Sequence, residues 1–313
     1  MPEQLEDIAK NQTIAPKVLD FPRYFQVETT SVCNARCTMC LTRFCKRHSP
    51  NMSDALFEKV ADELKGHAGD VDRVIVQLAG EPLLDRKLED RIRVLKNSGI
   101  RYVAFASNGS LMSEDRCESV LASGVDEVSF SVDGATKQTY ESIRVGLNFE
   151  QVMQNIESFI RLRDATKSHA VIRLRMTVQQ ANRDELARFV DYWNEHLGPQ
   201  DDVYAKVIHT WGNSDKLDEL PEGYDYQRLN STACSSPWSS MVIFCDGRVP
   251  LCCCDYEARI CLGNVANESI EEVWHSRALK RVRDLHRKSG RDSIDMCTNC
   301  TVGDDEAKSH GDR

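Results

Sequence analysis

Apolar positions in this chain alternate between two periods. Tyr24–Thr29 (YFQVET), Val71–Leu78 (VDRVIVQL), Tyr102–Ala106, Glu127–Val132 (EVSFSV), Ala170–Val178 (AVIRLRMTV) and Val203–Ile208 are short and rich in β-branched or aromatic residues, and they predict strands. Between them, Ser53–Lys65, Arg86–Asn97, Ser113–Ser123, Phe149–Arg163 and Arg183–Leu197 carry helical spacing, with stops at Ser98-Gly99 and Gly124. Six strands alternating with helices predict an α/β fold with a parallel sheet and right-handed crossovers. The loops at the carboxyl ends of such strands share one face, where sites are built. Periodicity alone fits a partial barrel and a doubly wound sheet equally.

The pattern changes in the last third. Trp211–Asn230 is rich in Gly, Pro and acidic residues and reads as a linker. Ser239–Phe244 and Arg248–Cys252 flank Asp246-Gly247, a hairpin signal. Ser269 to Glu272 forms a capping box ahead of a helix reaching about Lys288. The expected organisation is an N-terminal extension (1–22), a core (23–210), a linker (211–233), a small Cys-rich domain (234–302) and a disordered tail (303–313).

Composition narrows the function classes. The chain has 313 residues and a net charge of −9 without a block of Lys and Arg, which argues against a nucleic-acid partner. It has no run of about 18 apolar residues, so no membrane span is expected. Met1–Lys10 lacks the apolar stretch of a secretory signal. Its 13 cysteines then read as metal or cluster ligands in a reducing compartment, and the expected location is the cytoplasm.

Cys33, Cys37 and Cys40, spaced C-x3-C-x2-C, follow the first strand directly. Three thiolates on one loop can bind three corners of a cubane and leave one iron open, whereas electron-transfer clusters take four cysteines. The alternative is zinc, which usually takes two C-x2-C pairs or Cys and His pairs. This loop has neither.

Further motifs follow at strand ends. Gly80-Glu81-Pro82 comes after the second strand, Ser107-Asn108-Gly109 after the third, and Ser131-Val132-Asp133-Gly134 after the fourth, with Ser142-Ile143-Arg144 beyond. With the cysteine loop, this series resembles the radical S-adenosylmethionine (SAM) superfamily. The resemblance implies a partial (β/α)6 barrel and a 4Fe–4S cluster on Cys33, Cys37 and Cys40. SAM would fill the open iron and be cleaved to a 5′-deoxyadenosyl radical that removes a substrate hydrogen. It places Gly80, Glu81 and Pro82 at the SAM amine, Ser107, Asn108 and Ser131 along SAM, and Arg144 on its carboxylate, which a guanidinium can fork. Met176 and Val178 would meet adenine, with plain core as the alternative. An external electron donor such as flavodoxin or ferredoxin is implied as partner.

Eight cysteines lie between Cys234 and Cys300. Cys234-x12-Gly247-x4-Cys252, followed by Cys297-x2-Cys300, resembles the SPASM/Twitch extension of that superfamily. With no cysteine after Cys300, the shorter Twitch form is expected: one auxiliary 4Fe–4S cluster on Cys234, Cys252, Cys297 and Cys300. Zinc at Cys297 and Cys300 is the alternative for that pair alone. Cys253 and Cys254 are packed thiols or hydrogen-atom donors for an epimerisation. Asp255, Asp133 and Arg144 are candidates for a base.

The resemblance implies an oxidoreductase or epimerase acting on a small molecule of carbohydrate or aminocyclitol type. The competing expectations are maturation of a ribosomally made peptide and a non-catalytic iron–sulfur or zinc scaffold. The short stretch ahead of Tyr24 favours the small molecule.

Overall fold

Phe25 and Val27 of strand β1 (Tyr24–Val27) are buried on one side, while Gln26 points to the other. The same alternation recurs in β2 (Arg73–Ile75), β4 (Glu127–Ser131) and β5 (Val171–Val178), where Val74, Val128, Phe130, Ile172 and Leu174 join one apolar core. The computed structural model describes residues 17–47, 51–210, 212 and 222–302. Most of the expected N-terminal extension, part of the linker and the whole expected disordered tail lie outside the described residues.

All strand pairs of the main sheet are parallel, in the order β6-β5-β4-β3-β2-β1-β7, with β3 at Val103–Ser107, β6 at Asp202–Val207 and β7 at Ser240–Ile243. Helices Asp54–Gly66, Leu88–Asn97, Glu114–Leu121, Phe149–Thr166 and Leu186–His196 cover the apolar face with Phe57, Val60, Ile92, Leu95, Val120, Ile156, Phe159 and Trp193. Ser53, Ser113 and Asn148 cap three of them through side-chain oxygens. The alternation expected from sequence is thus the alternation observed, in the partial-barrel arrangement. Helix Lys137–Ile143, capped by Thr136, was not expected.

Two expectations for the C-terminal region change. The Asp246-Gly247 turn forms, with Gly247 at φ +84°, but its arms part company. The first, β7, pairs in parallel with β1 in the main sheet, and the second, β8 (Arg248–Pro250), pairs antiparallel with β9 (Cys261–Asn264). The predicted hairpin is therefore a bridge between two sheets. The predicted single helix is also two, Ile270–Trp274 and Arg277–Ser289. Ser269 and Glu272 make the expected capping box, but Ser276 caps anew by accepting the Leu279 amide, and a cap residue restarts rather than continues a helix.

Candidate functional site

The cysteine loop sits at the carboxyl end of β1 and is pinned from three sides. The Arg36 and Thr38 amides donate to the carbonyls of Val145 and Ile143 at 2.8 and 2.9 Å. The Glu81 amide donates to the Val32 carbonyl at 2.8 Å. Gly80 makes that approach possible, since a Cβ there would lie 2.3 Å from the Thr30 carbonyl oxygen. A third tie joins Asn108 Nδ2 to Asn34 Oδ1 at 3.0 Å and Asn34 Nδ2 to Ser110 Oγ at 2.9 Å. Two strand ends and the end of helix Lys137–Ile143 thus hold one loop.

Within the loop, Cys37 is buried and Cys33 and Cys40 are half-buried. Burial pushes the Cys33 thiol up to about 11 and raises Cys37, with the Arg144 cation opposing the latter. Cluster binding needs thiolates, so loading this nest releases protons. Among the described residues no three His, Cys, Asp or Glu side chains close around a single ion's position. A cubane presents an iron at each of four corners, so its thiolates stand further apart than those on one ion.

The placements of the expected SAM-binding residues differ. Glu81 is buried, and its carboxylate accepts from Ser107 Oγ (2.8 Å), the Asn108 amide (2.8 Å) and the Leu83 amide (3.2 Å). Burial raises its pKa. Glu81 therefore braces two strand ends against each other. Pro82 opens a short 3-10 turn behind it. Ser131 Oγ accepts from Arg175 Nη2 at 2.9 Å. Arg144 does not stand ready to fork an incoming carboxylate. Its Nε and Nη2 lie 2.6 Å from Asp133 Oδ2, and Nη1 reaches Cys37 Sγ at 3.7 Å. Met176 is fully buried with Ile172 and Leu174, on the helix side of β5. It is a core residue, because two-residue periodicity turns it away from the face that carries Arg175 and Thr177. Val178 is half-buried and packs against the core.

The candidate bases are also committed. Asp133 accepts from Arg144 and from the Thr177 amide at 2.7 Å. Asp255 accepts from the amides of Arg259 (2.7 Å), Ile260 (3.0 Å) and Leu251 (3.5 Å), folding its own loop. A buried carboxylate saturated by such donors is a structural brace.

A second cavity gathers six cysteines: Cys234, Cys252, Cys253, Cys254, Cys297 and Cys300. Burial pushes Cys234 up to about 12, while a hydrogen bond from Cys254 draws Cys300 down to about 6. The four expected ligands thus converge, and Cys253 and Cys254 lie in the same nest. Arg291, also lining it, is buried, and its Nε and Nη1 have no hydrogen-bond partner. An uncompensated guanidinium is costly away from water, and an anionic thiolate-bound cluster is its natural complement. The residues fit an auxiliary cluster.

The concave face of the sheet supplies what sequence reading overlooked. Gln26 Oε1, Ser129 Oγ and Arg175 Nε are buried there without partners. The signal was present as polar residues at every second position of YFQV, EVSFS and VIRLRMTV. Below them Glu127 accepts from Arg73 Nη2 (2.5 Å) and Tyr102 Oη (2.8 Å), lies in an ion pair with Arg173 (Nε at 3.1 Å), and closes the amino-terminal end.

A three-cysteine nest and a six-cysteine nest beside one parallel partial barrel define an iron–sulfur enzyme. The Radical SAM superfamily model matches residues 27–190, and the model of an iron–sulfur cluster-binding domain, SPASM, matches 234–301. The chain belongs to the radical SAM superfamily and carries a C-terminal SPASM domain. Its cofactors are SAM, the SAM-binding 4Fe–4S cluster and an auxiliary iron–sulfur cluster.

Curated relatives include a GTP 3′,8-cyclase of Chlorobaculum tepidum, 30% identical over 175 residues (55% of this chain, 50% of the relative). An AdoMet-dependent heme synthase of Methanosarcina barkeri is 28% identical over 214 residues (66% and 56%). The chain thus spans about half the length of the curated relatives it matches. Among solved structures, BtrN in complex with AdoMet and 2-DOIA aligns with a TM-score of 0.64 at 19% identity, covering 90% of this chain and 93% of BtrN. Streptococcus suis SuiB bound to its precursor peptide SuiA aligns with a TM-score of 0.68 at 14% identity, covering 94% and 74%. These likenesses concern the fold. Among the described residues no helix is long and apolar enough to cross a membrane.

Proposed function

We propose that this chain oxidises a polar small molecule of carbohydrate or aminocyclitol type, with the auxiliary cluster as electron acceptor. When bound, the cofactors would supply a 5′-deoxyadenosyl radical able to take a hydrogen atom from carbon and an acceptor for the electron left behind, while the proton of the adjacent O–H or N–H would pass to a base. The observation that carries the reading is the set of buried, unpartnered polar atoms on the concave face: Gln26 Oε1, Ser129 Oγ and Arg175 Nε. Each costs about 1–3 kcal/mol while unsatisfied. Hydroxyls or amines of a polyol, together with the polar parts of SAM, would satisfy them, whereas an apolar side chain of a peptide would not.

The chain's own residues position and shield. Glu127 with Arg73, Arg173 and Tyr102 closes the amino-terminal end of the concave face against water. Arg175 is steadied by Ser131, which leaves its Nε free for a substrate or SAM oxygen. An external flavodoxin- or ferredoxin-type reductant completes the reading. The reconstituted enzyme, given SAM and dithionite, is offered deuterated aminocyclitols and polyols. Deuterium entering 5′-deoxyadenosine together with a carbonyl product supports oxidation, and deuterium transfer with an inverted, unoxidised product turns the reading to epimerisation. Turnover of peptides and of no polyol would sink it.

A further inference from the structure

Helix Arg277–Ser289 ends at Gly290, whose φ of +64° lets the chain double back against residues 230 and 231. A Cβ at Gly290 would lie 2.3 Å from the Asn230 carbonyl oxygen. The return is locked by the Arg291 amide donating to the Thr232 carbonyl at 3.1 Å. Arg291 is thereby placed with Cys234 in the wall of the six-cysteine cavity. Its guanidinium is buried, makes no ion pair among the described residues, and leaves Nε and Nη1 unpartnered. His286, from the last turn of the same helix, shares that wall. Its Nδ1 accepts the Cys234 amide at 3.2 Å, so the proton of the neutral ring resides on Nε2, which is buried and unpartnered.

We propose that Arg291, seconded by the Nε2–H of His286, is a positioning pair that sets the reduction potential of the auxiliary cluster. The physical reason is charge. A cluster gains one negative charge on reduction, and a fixed cation a few ångströms away in a medium of low dielectric favours the more negative state. Hydrogen bonds to cluster sulfurs act in the same direction. Reduction would add one electron to the cluster and no proton, and Arg291 and His286 would keep theirs. The inference rests on the electron-acceptor reading, because an acceptor must be easy enough to reduce.

The test uses the full chain, anaerobically reconstituted with iron and sulfide, as wild type, Arg291→Gln, Arg291→Lys and His286→Gln. Iron is counted, and each cluster's potential is read by EPR during a redox titration with SAM present. Arg291→Gln is expected to shift the auxiliary reduction equilibrium at least tenfold towards the oxidised form, ~59 mV for one electron. Arg291→Lys should restore most of it, His286→Gln should give a smaller shift of the same sign, and the SAM-binding cluster should not move. Two loaded clusters with unchanged potentials overturn the inference and leave the acceptor reading standing. A wild-type chain that loads one cluster overturns both. Should Arg291→Gln alone lose the auxiliary cluster, His286→Gln decides: an unmoved potential there overturns the proposal. Loss in Arg291→Lys as well means the side chain is structural, which also overturns it.

Discussion

Arg47 and Glu28 form a two-pronged ion pair, Nη1 to Oε2 at 2.6 Å and Nη2 to Oε1 at 2.8 Å, with both side chains almost wholly buried. Arg47 also donates from Nε to the Tyr256 carbonyl at 2.9 Å and lies over the Phe244 ring at 3.7 Å. Glu28, just beyond β1, accepts the Cys245 amide at 3.2 Å. One pair therefore joins the segment after the first cysteine loop to the region that carries the second nest. Removing one partner strands a buried charge, so Arg47→Ala is expected to lower stability by about 3–5 kcal/mol. Arg47→Lys should recover little, because an ammonium cannot supply the fork. Urea midpoints of the anaerobic proteins check this, and a loss below about 1 kcal/mol would contradict it.

Gly80→Ala drives a methyl into the Thr30 and Val32 carbonyls. The expected result is loss of the first cluster only. Iron should fall from about eight to about four per chain, with SAM cleavage abolished. Full iron and normal 5′-deoxyadenosine formation would show that the loop can shift to accommodate the methyl.

Glu185 takes the Ala135 amide (2.6 Å), the Thr136 amide (3.1 Å) and the hydroxyls of Thr136 and Thr139 (both 2.6 Å). It thereby fixes the start of the helix that ends at Ile143, whose carbonyl holds Thr38. Burial would raise its carboxyl, but these donors outweigh burial and hold it below the usual value. A depressed folded-state value means the unfolded chain binds the proton first, so this stabilisation is present above the ordinary value of 4.5 and is lost as pH falls through the folded one. Glu185→Ala should cost about 2 kcal/mol at neutral pH. The gap between variant and wild type should narrow as pH falls below 4.5 and through the lower folded-state value. A gap that does not depend on pH would assign the loss to packing.

Six thiols serve four corners in the second nest. Alanine at Cys234, Cys252, Cys297 or Cys300 should each halve the iron, and alanine at Cys253 or Cys254 should leave about eight. Loss of iron in Cys254→Ala with retention in Cys252→Ala would exchange their roles, which is a real alternative because Cys254 hydrogen-bonds both Cys252 and Cys300.

What was legible in the sequence is what repeats or stays local. Strand and helix periods, the first cysteine loop and the Ser269–Glu272 capping box are each set by neighbours in the chain, and each is found. What was hidden depends on partners far away. Asp133 and Asp255 look like free carboxylates until their donors are known. Met176 stood open between an adenine contact and plain core, and its burial beside Ile172 and Leu174 favours core. The Asp246-Gly247 turn announced a hairpin, and nothing nearby says that β7 finds a better partner in β1. Arg291 and His286 bear no motif at all, and only the fold brings them to Cys234.

That pairing of β7 with β1 also constrains how the chain can be made. Ser240–Ile243 is synthesised more than 200 residues after its partner Tyr24–Val27. Until it arrives, β1 is an open edge of the sheet, with unpaired amides and carbonyls that invite other chains. A closure this distant in sequence is slow. The ribosome-bound barrel therefore waits, incomplete and prone to aggregation, for the region that carries the second nest, and any fragment ending before Ser240 inherits that exposed edge permanently.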